Sequence, residues 1–171
     1  MIARTKEQRE GIIESGRRLG VVLEEVSKIV APGVSTEALD SLALKLIREG
    51  GDEPAFLDYT PERSARPYPA SLCVSVNDEV VHGIPNEAPR VLREGDIVSL
   101  DLGLIHKGFI SDSAVTVPVG KVDETSAKLM QATKHSLEQA IRAARVGNRI
   151  GDISYATEQA YKGTGFSVVR V

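Results

Sequence analysis

Residues 97 to 117 constrain this chain more than any other stretch, because they read as two long alternating strands joined by a tight turn. Ile97-Val98-Ser99-Leu100-Asp101-Leu102-Gly103-Leu104-Ile105 sets apolar side chains at 98, 100, 102 and 104, the period of a strand with one buried face. His106-Lys107-Gly108 can turn the chain, and Phe109 to Val117 (FISDSAVTV) reads as the return strand. A turn centred on His106-Lys107 would set Asp101 directly opposite Asp112. Opposed side chains lie about 4.5–5.5 Å apart at Cβ, and like charges there are destabilising. A divalent cation would compensate, since hard cations take carboxylate oxygens. A shifted turn would instead separate the two carboxylates, or leave one of them in solvent.

Composition narrows the class of protein. Of the 171 residues 42% are hydrophobic and 26% charged, the balance of a soluble globular chain with an ordinary core. A net charge of −3 gives no electrostatic case for a nucleic-acid partner or an acidic membrane surface. The single cysteine, Cys73, cannot form an internal disulfide and suits a reducing compartment. The opening MIARTKEQRE lacks the apolar run of a signal peptide, and no stretch approaches a membrane span. The expected location is the cytoplasm.

Around the hairpin the chain reads as helix, helix, strands, helix, helix. Thr5 with Gln8 can form a capping box opening a helix to about Val30, with Ile12, Ile13, Leu19, Val22, Leu23, Val26, Ile29 and Val30 as its apolar stripe. Ala31-Pro32-Gly33 stops it. Ser35 or Thr36 caps a second helix, which presents Leu39, Leu42, Leu46 and Ile47 and ends at Gly50-Gly51. Residues 52 to 70 read as a loop, Leu72 to Val76 as a short strand, and Asn77-Asp78 as a turn. Helices follow near Glu124–Arg145 and Ile150–Lys162, and Gly165 to Val171 reads as an opening strand. The two helix pairs echo one another faintly across a Gly-containing break.

Three histidines and one thiol are the other chemical candidates. His82, in Val80-Val81-His82-Gly83-Ile84-Pro85, follows a turn, where a loop on a rigid sheet can supply a reacting group; the alternative is a histidine bonded only to backbone. His106 is expected at a solvated hairpin tip and His135 on an exposed helix face. Cys73 reads as a small buried strand residue, since no base stands beside it in sequence. The scattered glycines form no nucleotide-binding pattern.

The block Leu72 to Pro85 (LCVSVNDEVVHGIP) resembles the one that carries the catalytic histidine of bacterial-type methionine aminopeptidases. Gly95 to Asp101 (GDIVSLD), with Asp112 eleven residues on inside Gly108 to Ser113 (GFISDS), is similar to that family's first two metal ligands. Pro32 to Thr36 (PGVST) and Gly165 to Arg170 (GFSVVR) match as well, so the resemblance runs from about residue 5 to the end.

That resemblance implies an α+β pita-bread fold in one domain spanning 1–171. The first half would occupy about 5–120 and the start of a second half about 121–171, with the remaining strands missing. It implies removal of the N-terminal methionine from nascent proteins, with two divalent ions (Co, Mn, Fe or Zn) at a complete site. By position Asp101 would chelate one metal and Asp112 bridge both. His82 would contact the substrate nitrogen and help stabilise the transition state. Tyr59, Tyr68 and Cys73 match residues of the methionine side-chain pocket, although the extra residues between the tyrosines (TPERSARP) disturb the register of Tyr59. Partners would be nascent polypeptide N-termini, close to the ribosome.

The family pattern also needs a histidine in a Gly-His-Gly setting and two glutamates beyond Val171, and Val171 stands where an acidic residue is usual. None of those ligands is present, so these 171 residues are expected to be an inactive fragment and to self-associate through unpaired apolar surface. Two other readings are a non-catalytic pita-bread module that binds peptides or proteins and a relative of proline-specific aminopeptidases.

Overall fold

A computed structural model describes residues 2–60, 62 and 65–169. The chain divides into two compact units, residues 1–122 and 123–171. The first unit contains helices α1 (Lys6–Lys28) and α2 (Thr36–Glu49), strands β1 (Glu53–Pro54), β2 (Leu72–Val76), β3 (Ile97–His106) and β4 (Phe109–Pro118). The second contains α3 (Glu124–Ala143) and α4 (Ile150–Gln159). Among the described residues no helix is long and apolar enough to cross a membrane.

Strand β3 is the spine of the first unit. It pairs antiparallel with β1 and β2 along one edge and with β4 along the other. Strict alternation decides its two faces. Val98, Leu100, Leu102 and Leu104 are fully buried, and beside them lie Leu72, Val74 and Val76 of β2. The helices close over that face with Leu19, Val22, Leu23 and Val26 from α1 and Leu39, Ala43 and Ile47 from α2. The Thr5–Gln8 capping box forms as expected, and Ser35 rather than Thr36 caps α2 by accepting the Ala38 amide at 3.1 Å. The α1 stripe is narrower than its apolar residues suggest. Ile13 is mostly exposed, whereas Ser15 is buried and donates to the Phe109 carbonyl oxygen at 2.9 Å. Gly11 admits the Phe109 ring against the helix, where a Cβ would come within 2.3 Å of it.

The hairpin turn is displaced by one residue from its expected centre. Lys107 (φ 49°) and Gly108 (φ 80°) occupy the two central positions, so His106 pairs with Phe109. Both central residues of such a turn need positive φ, and this placement puts glycine at the second. Asp101 consequently faces Ala114, and Asp112 faces Gly103. The expected direct opposition of the two aspartates does not occur. Because the register moves by two, the carboxylates stay on one face of the sheet as diagonal neighbours.

Releasing His106 from the turn gives it a different environment from the solvated tip expected of it. It is buried on the helix side, with Nδ1 2.6 Å from Asp52 Oδ1. Asp52 Oδ2 accepts from Arg18 of α1 at 3.1 Å. This cluster ties α1, the end of α2 and the hairpin together, and it delivers the chain into β1, a two-residue strand inside the stretch expected to be loop throughout.

The second unit is a helical hairpin. Asp123 caps α3 by accepting the Thr125 and Ser126 amides at 2.7 and 3.0 Å, and Gly147 turns the chain at φ 95°. Ser136 donates to the Thr157 carbonyl oxygen at 3.1 Å across the pair. Leu137, Ile141, Ile150 and Tyr155 are exposed. Residues 166–169 are irregular rather than the expected opening strand, as a strand requires a ladder partner for its backbone groups. Arg170 and Val171, on which part of that expectation rested, lie outside the described residues.

Asp52→Ala leaves a buried imidazole without its acceptor and frees Arg18 as well. It is expected to cost about 2–3 kcal/mol of unfolding free energy, measured by urea titration. A loss below about 0.5 kcal/mol would show that the cluster does not hold the hairpin.

Candidate functional site

The face of the sheet turned away from α1 and α2 carries small and polar side chains in rows. Cys73, Asp101 and Ala114 make one row across β2, β3 and β4; Gly103 and Asp112 make the next; Ser75, Ser99 and Thr116 lie on the other side. Alternation therefore separates the site from the core within the same strands.

Asp101 is half-buried and Asp112 exposed. Burial raises the Asp101 pKa above the ordinary carboxylate value, and the charge of Asp112 and a hydrogen bond with it push the same way, while His82 opposes them. Two carboxyl groups thus converge from diagonal positions about 7–8 Å apart along the strands. Such a pair fits a divalent cation as two hard oxygen donors. Among the described residues no third His, Cys, Asp or Glu joins them in a metal-holding cluster.

Beside the aspartates stand a thiol, a phenol and an aromatic ring. Cys73 is buried, and its thiol is pushed up to about 11, first by burial and further by the charges of Asp101, Asp112 and Asp40, against the hydrogen bond with Tyr68. It is a neutral thiol at physiological pH. Tyr68 is also raised, chiefly by burial, and its hydroxyl donates to the carbonyl oxygens of Leu72 (3.3 Å) and Gly83 (3.2 Å). Phe56 meets Tyr68 edge-to-face, with centroids 6.4 Å apart, and lies over Gly103, where a Cβ would come within 2.6 Å of the ring. Gly103, the ladder partner of Asp112, is thus the position that lets the Phe56 ring approach the sheet.

Sequence reasoning missed Phe56 because it lies in an aperiodic stretch. It missed Asp40 because that residue sits inside a helix. The buried Asp40 carboxylate accepts from the Ser71 amide (2.8 Å), the Ser71 hydroxyl (2.7 Å) and the Leu72 amide (3.0 Å), fixing the start of β2 just before Cys73. An acidic residue among Leu39, Leu42 and Ala43 was the available signal.

The extra residues between Tyr59 and Tyr68 do not separate the tyrosines. The Tyr68 amide donates to the Tyr59 carbonyl oxygen at 2.8 Å, and the Asp58 amide to the Tyr68 carbonyl oxygen at 2.9 Å, closing the base of the insertion. The Tyr59 side chain remains 60% exposed. His82 is exposed with φ 61°, a left-handed conformation uncommon for a residue with a side chain, and it lies within electrostatic reach of Asp101. His135 is on α3, in the second unit.

A raised folded-state pKa means that Asp101 favours the folded state below its unfolded pKa and loses that contribution as pH rises through the folded value. Asp101→Asn is therefore expected to raise the melting temperature of metal-free protein at pH 7. The gain should disappear near pH 3, where the wild-type carboxyl is protonated in both states. An equal gain at both pH values would remove the charge explanation.

Comparison with known proteins places this arrangement. The model of metallopeptidase family M24 matches residues 10–170. The methionine aminopeptidase of Aquifex aeolicus is 45% identical over 166 residues, covering 95% of this chain and 63% of that protein. Methionine aminopeptidase 1 of Bacillus subtilis is 41% identical, covering 92% of this chain and 60% of its own length. The crystal structure of the Thermotoga maritima methionine aminopeptidase superposes with a TM-score of 0.91 at 36% identity, covering 99% of this chain and 66% of that one. The fold over this length is the pita-bread fold, and the chain spans about 60% of the curated relatives it matches. With its two carboxylates converging on the polar face of such a sheet, the chain belongs to metallopeptidase family M24.

Proposed function

We propose that this chain carries the first part of a metal-dependent methionine aminopeptidase acting on the N-termini of nascent polypeptides in the cytoplasm, near the ribosome. Residues 1–122 would form the first half of its pita-bread domain, and residues 123–171 would begin the second. The observation that carries this reading is the convergence of Asp101 and Asp112 beside a thiol and two aromatic rings, with His82 in electrostatic reach of Asp101. Family membership implies divalent metal ions.

Asp101 and Asp112 would hold the divalent metal through their carboxylate oxygens. Co, Mn, Fe and Zn all accept such oxygen donors. When bound, a divalent ion supplies Lewis acidity toward water and the scissile carbonyl. The other residues bind and orient. Cys73, Tyr68 and Tyr59, together with Phe56, offer soft and aromatic surface to a thioether side chain, a favourable pairing for sulfur. The neutral state of both Cys73 and Tyr68 suits them to that task rather than to nucleophilic attack. His82 would meet the substrate nitrogen and hold it while the carbonyl reacts. Likeness to methionine aminopeptidases over nearly the whole chain favours methionine over a proline-directed specificity.

The absence of a three-ligand cluster among the described residues favours a second statement about these 171 residues by themselves. Two carboxylates do not fix a paired metal site at reacting distance, so the isolated polypeptide binds metal and peptide without turning peptide over. That is the behaviour of a binding module, and exposed Leu137, Ile141 and Ile150 give it surface for self-association.

Mn2+ at about a hundredfold excess over its Kd is expected to stabilise the 171-residue protein by about 2–3 kcal/mol in thermal melts, and Asp112→Asn to abolish the gain. No stabilisation in the wild type would overturn the metal role. Incubated with Mn2+ or Co2+, the same protein is expected to release no free methionine from Met-Ala-Ser. Sustained release by repeatedly purified protein would show that the two carboxylates suffice.

A further inference from the structure

The loop that carries His82 is held at one residue more tightly than anywhere else. Gly83 uses both of its backbone groups in hydrogen bonds to buried or half-buried partners. Its amide donates to the Ser75 hydroxyl at 3.1 Å, and its carbonyl oxygen accepts from the Val74 amide at 2.9 Å and the Tyr68 hydroxyl at 3.2 Å. No side chain fits there, since a Cβ would come within 2.2 Å of the Val74 carbonyl oxygen. The residue immediately before this anchor is His82, held at φ 61°. A left-handed conformation at such a residue costs free energy, on the order of 1–3 kcal/mol, and persists only where its surroundings over-determine it.

We infer that Ser75 is a positioning residue for His82: its buried hydroxyl, by accepting the Gly83 amide, fixes the peptide that sets the direction of the imidazole. Ser75 is 4% exposed, on the same sheet face as Cys73 and Asp101 but one row further along, out of the aspartate row. Of Gly83's three hydrogen bonds, only this one is made by the amide, and only it is made by a side chain with no proposed part in binding the substrate. Val74 contributes backbone and cannot be edited by substitution, and Tyr68 also lines the pocket. Further along, the Thr36 hydroxyl donates to the Pro85 carbonyl oxygen at 2.8 Å and Asn86 donates to the Pro69 carbonyl oxygen at 2.8 Å. Those bonds hold the loop's exit. They leave the rotation of the His82–Gly83 peptide to Ser75.

The inference rests on the reading that His82 meets the substrate, and the experiment keeps the two apart. In isotope-labelled protein, Ser75→Ala is expected to speed exchange of the Gly83 amide roughly tenfold. It should also move the His82 Cα and Hα shifts away from left-handed values, with the Leu72 and Val76 amides unchanged. Ser75→Thr, which keeps the hydroxyl, should restore both signatures. Unchanged Gly83 exchange and His82 shifts in Ser75→Ala would overturn the inference. So would equal changes in the Ala and Thr variants, or changes spread evenly along β2. Separately, His82 ring resonances that fail to move on titration with Mn2+ and Met-Ala-Ser would overturn the substrate role of His82 and leave the Ser75 result standing.

Discussion

Everything in the first unit depends on the two-residue period of β3. Strand geometry sends alternate side chains to opposite faces, so one ten-residue segment can belong to a core and to a site at once. Val98, Leu100, Leu102 and Leu104 bring the helices down on one side, while Ser99, Asp101 and Gly103 face the other. Pairing along both edges of β3 makes the arrangement rigid, because its backbone groups are engaged by β1 and β2 on one edge and β4 on the other. A charged pair can be kept on such a surface because the hydrophobic face behind it supplies the stability that the pair subtracts.

The same period explains how much of the site was legible. Alternation fixes faces, so Asp101 and Asp112 share a face of the sheet for any change of register by an even number of residues. It does not fix which residues are opposite. That depended on where a turn with two positive φ values could form, and Gly108 at its second position settled the matter. Misplacing the turn by one residue carried a second error with it. A turn centred one residue earlier puts His106 at a solvated tip, whereas His106 is a buried strand residue bonded to Asp52. No local pattern could have shown this, since the partners are 54 residues apart.

The long elements were readable because each had both a period and a stop: the capping box at Thr5, the Ser35 cap, and the glycines after each helix. The stretch between Gly51 and Ala70 had neither. What orders it is tertiary. Asp52 is seized by Arg18 and His106, two residues pair with β3, Phe56 settles on Gly103, and Tyr59 and Tyr68 close the base of an insertion. The aromatic side of the candidate site was therefore its part least visible in sequence. Resemblance supplied Tyr68 and Cys73, and only the structure supplied Phe56 and the Asp40 carboxylate that sets β2.

A comparable division of labour runs through the loop after β2. Asn77 adopts φ 59° and spends its side chain on Asp96 and the Ile97 amide, while the Glu79 carboxylate accepts the Val76 amide and pairs with Arg90. Gly83, Pro85 and Asn86 are then each tied to a different neighbour. A loop with so many partners has little freedom left to adjust to a ligand, which is the condition for holding one imidazole in an unfavourable backbone geometry. Val80, Val81 and His82 are exposed, and their side chains face solvent. Rigidity in the backbone and availability in the side chains are then two consequences of one bonding pattern, and a binding surface needs both.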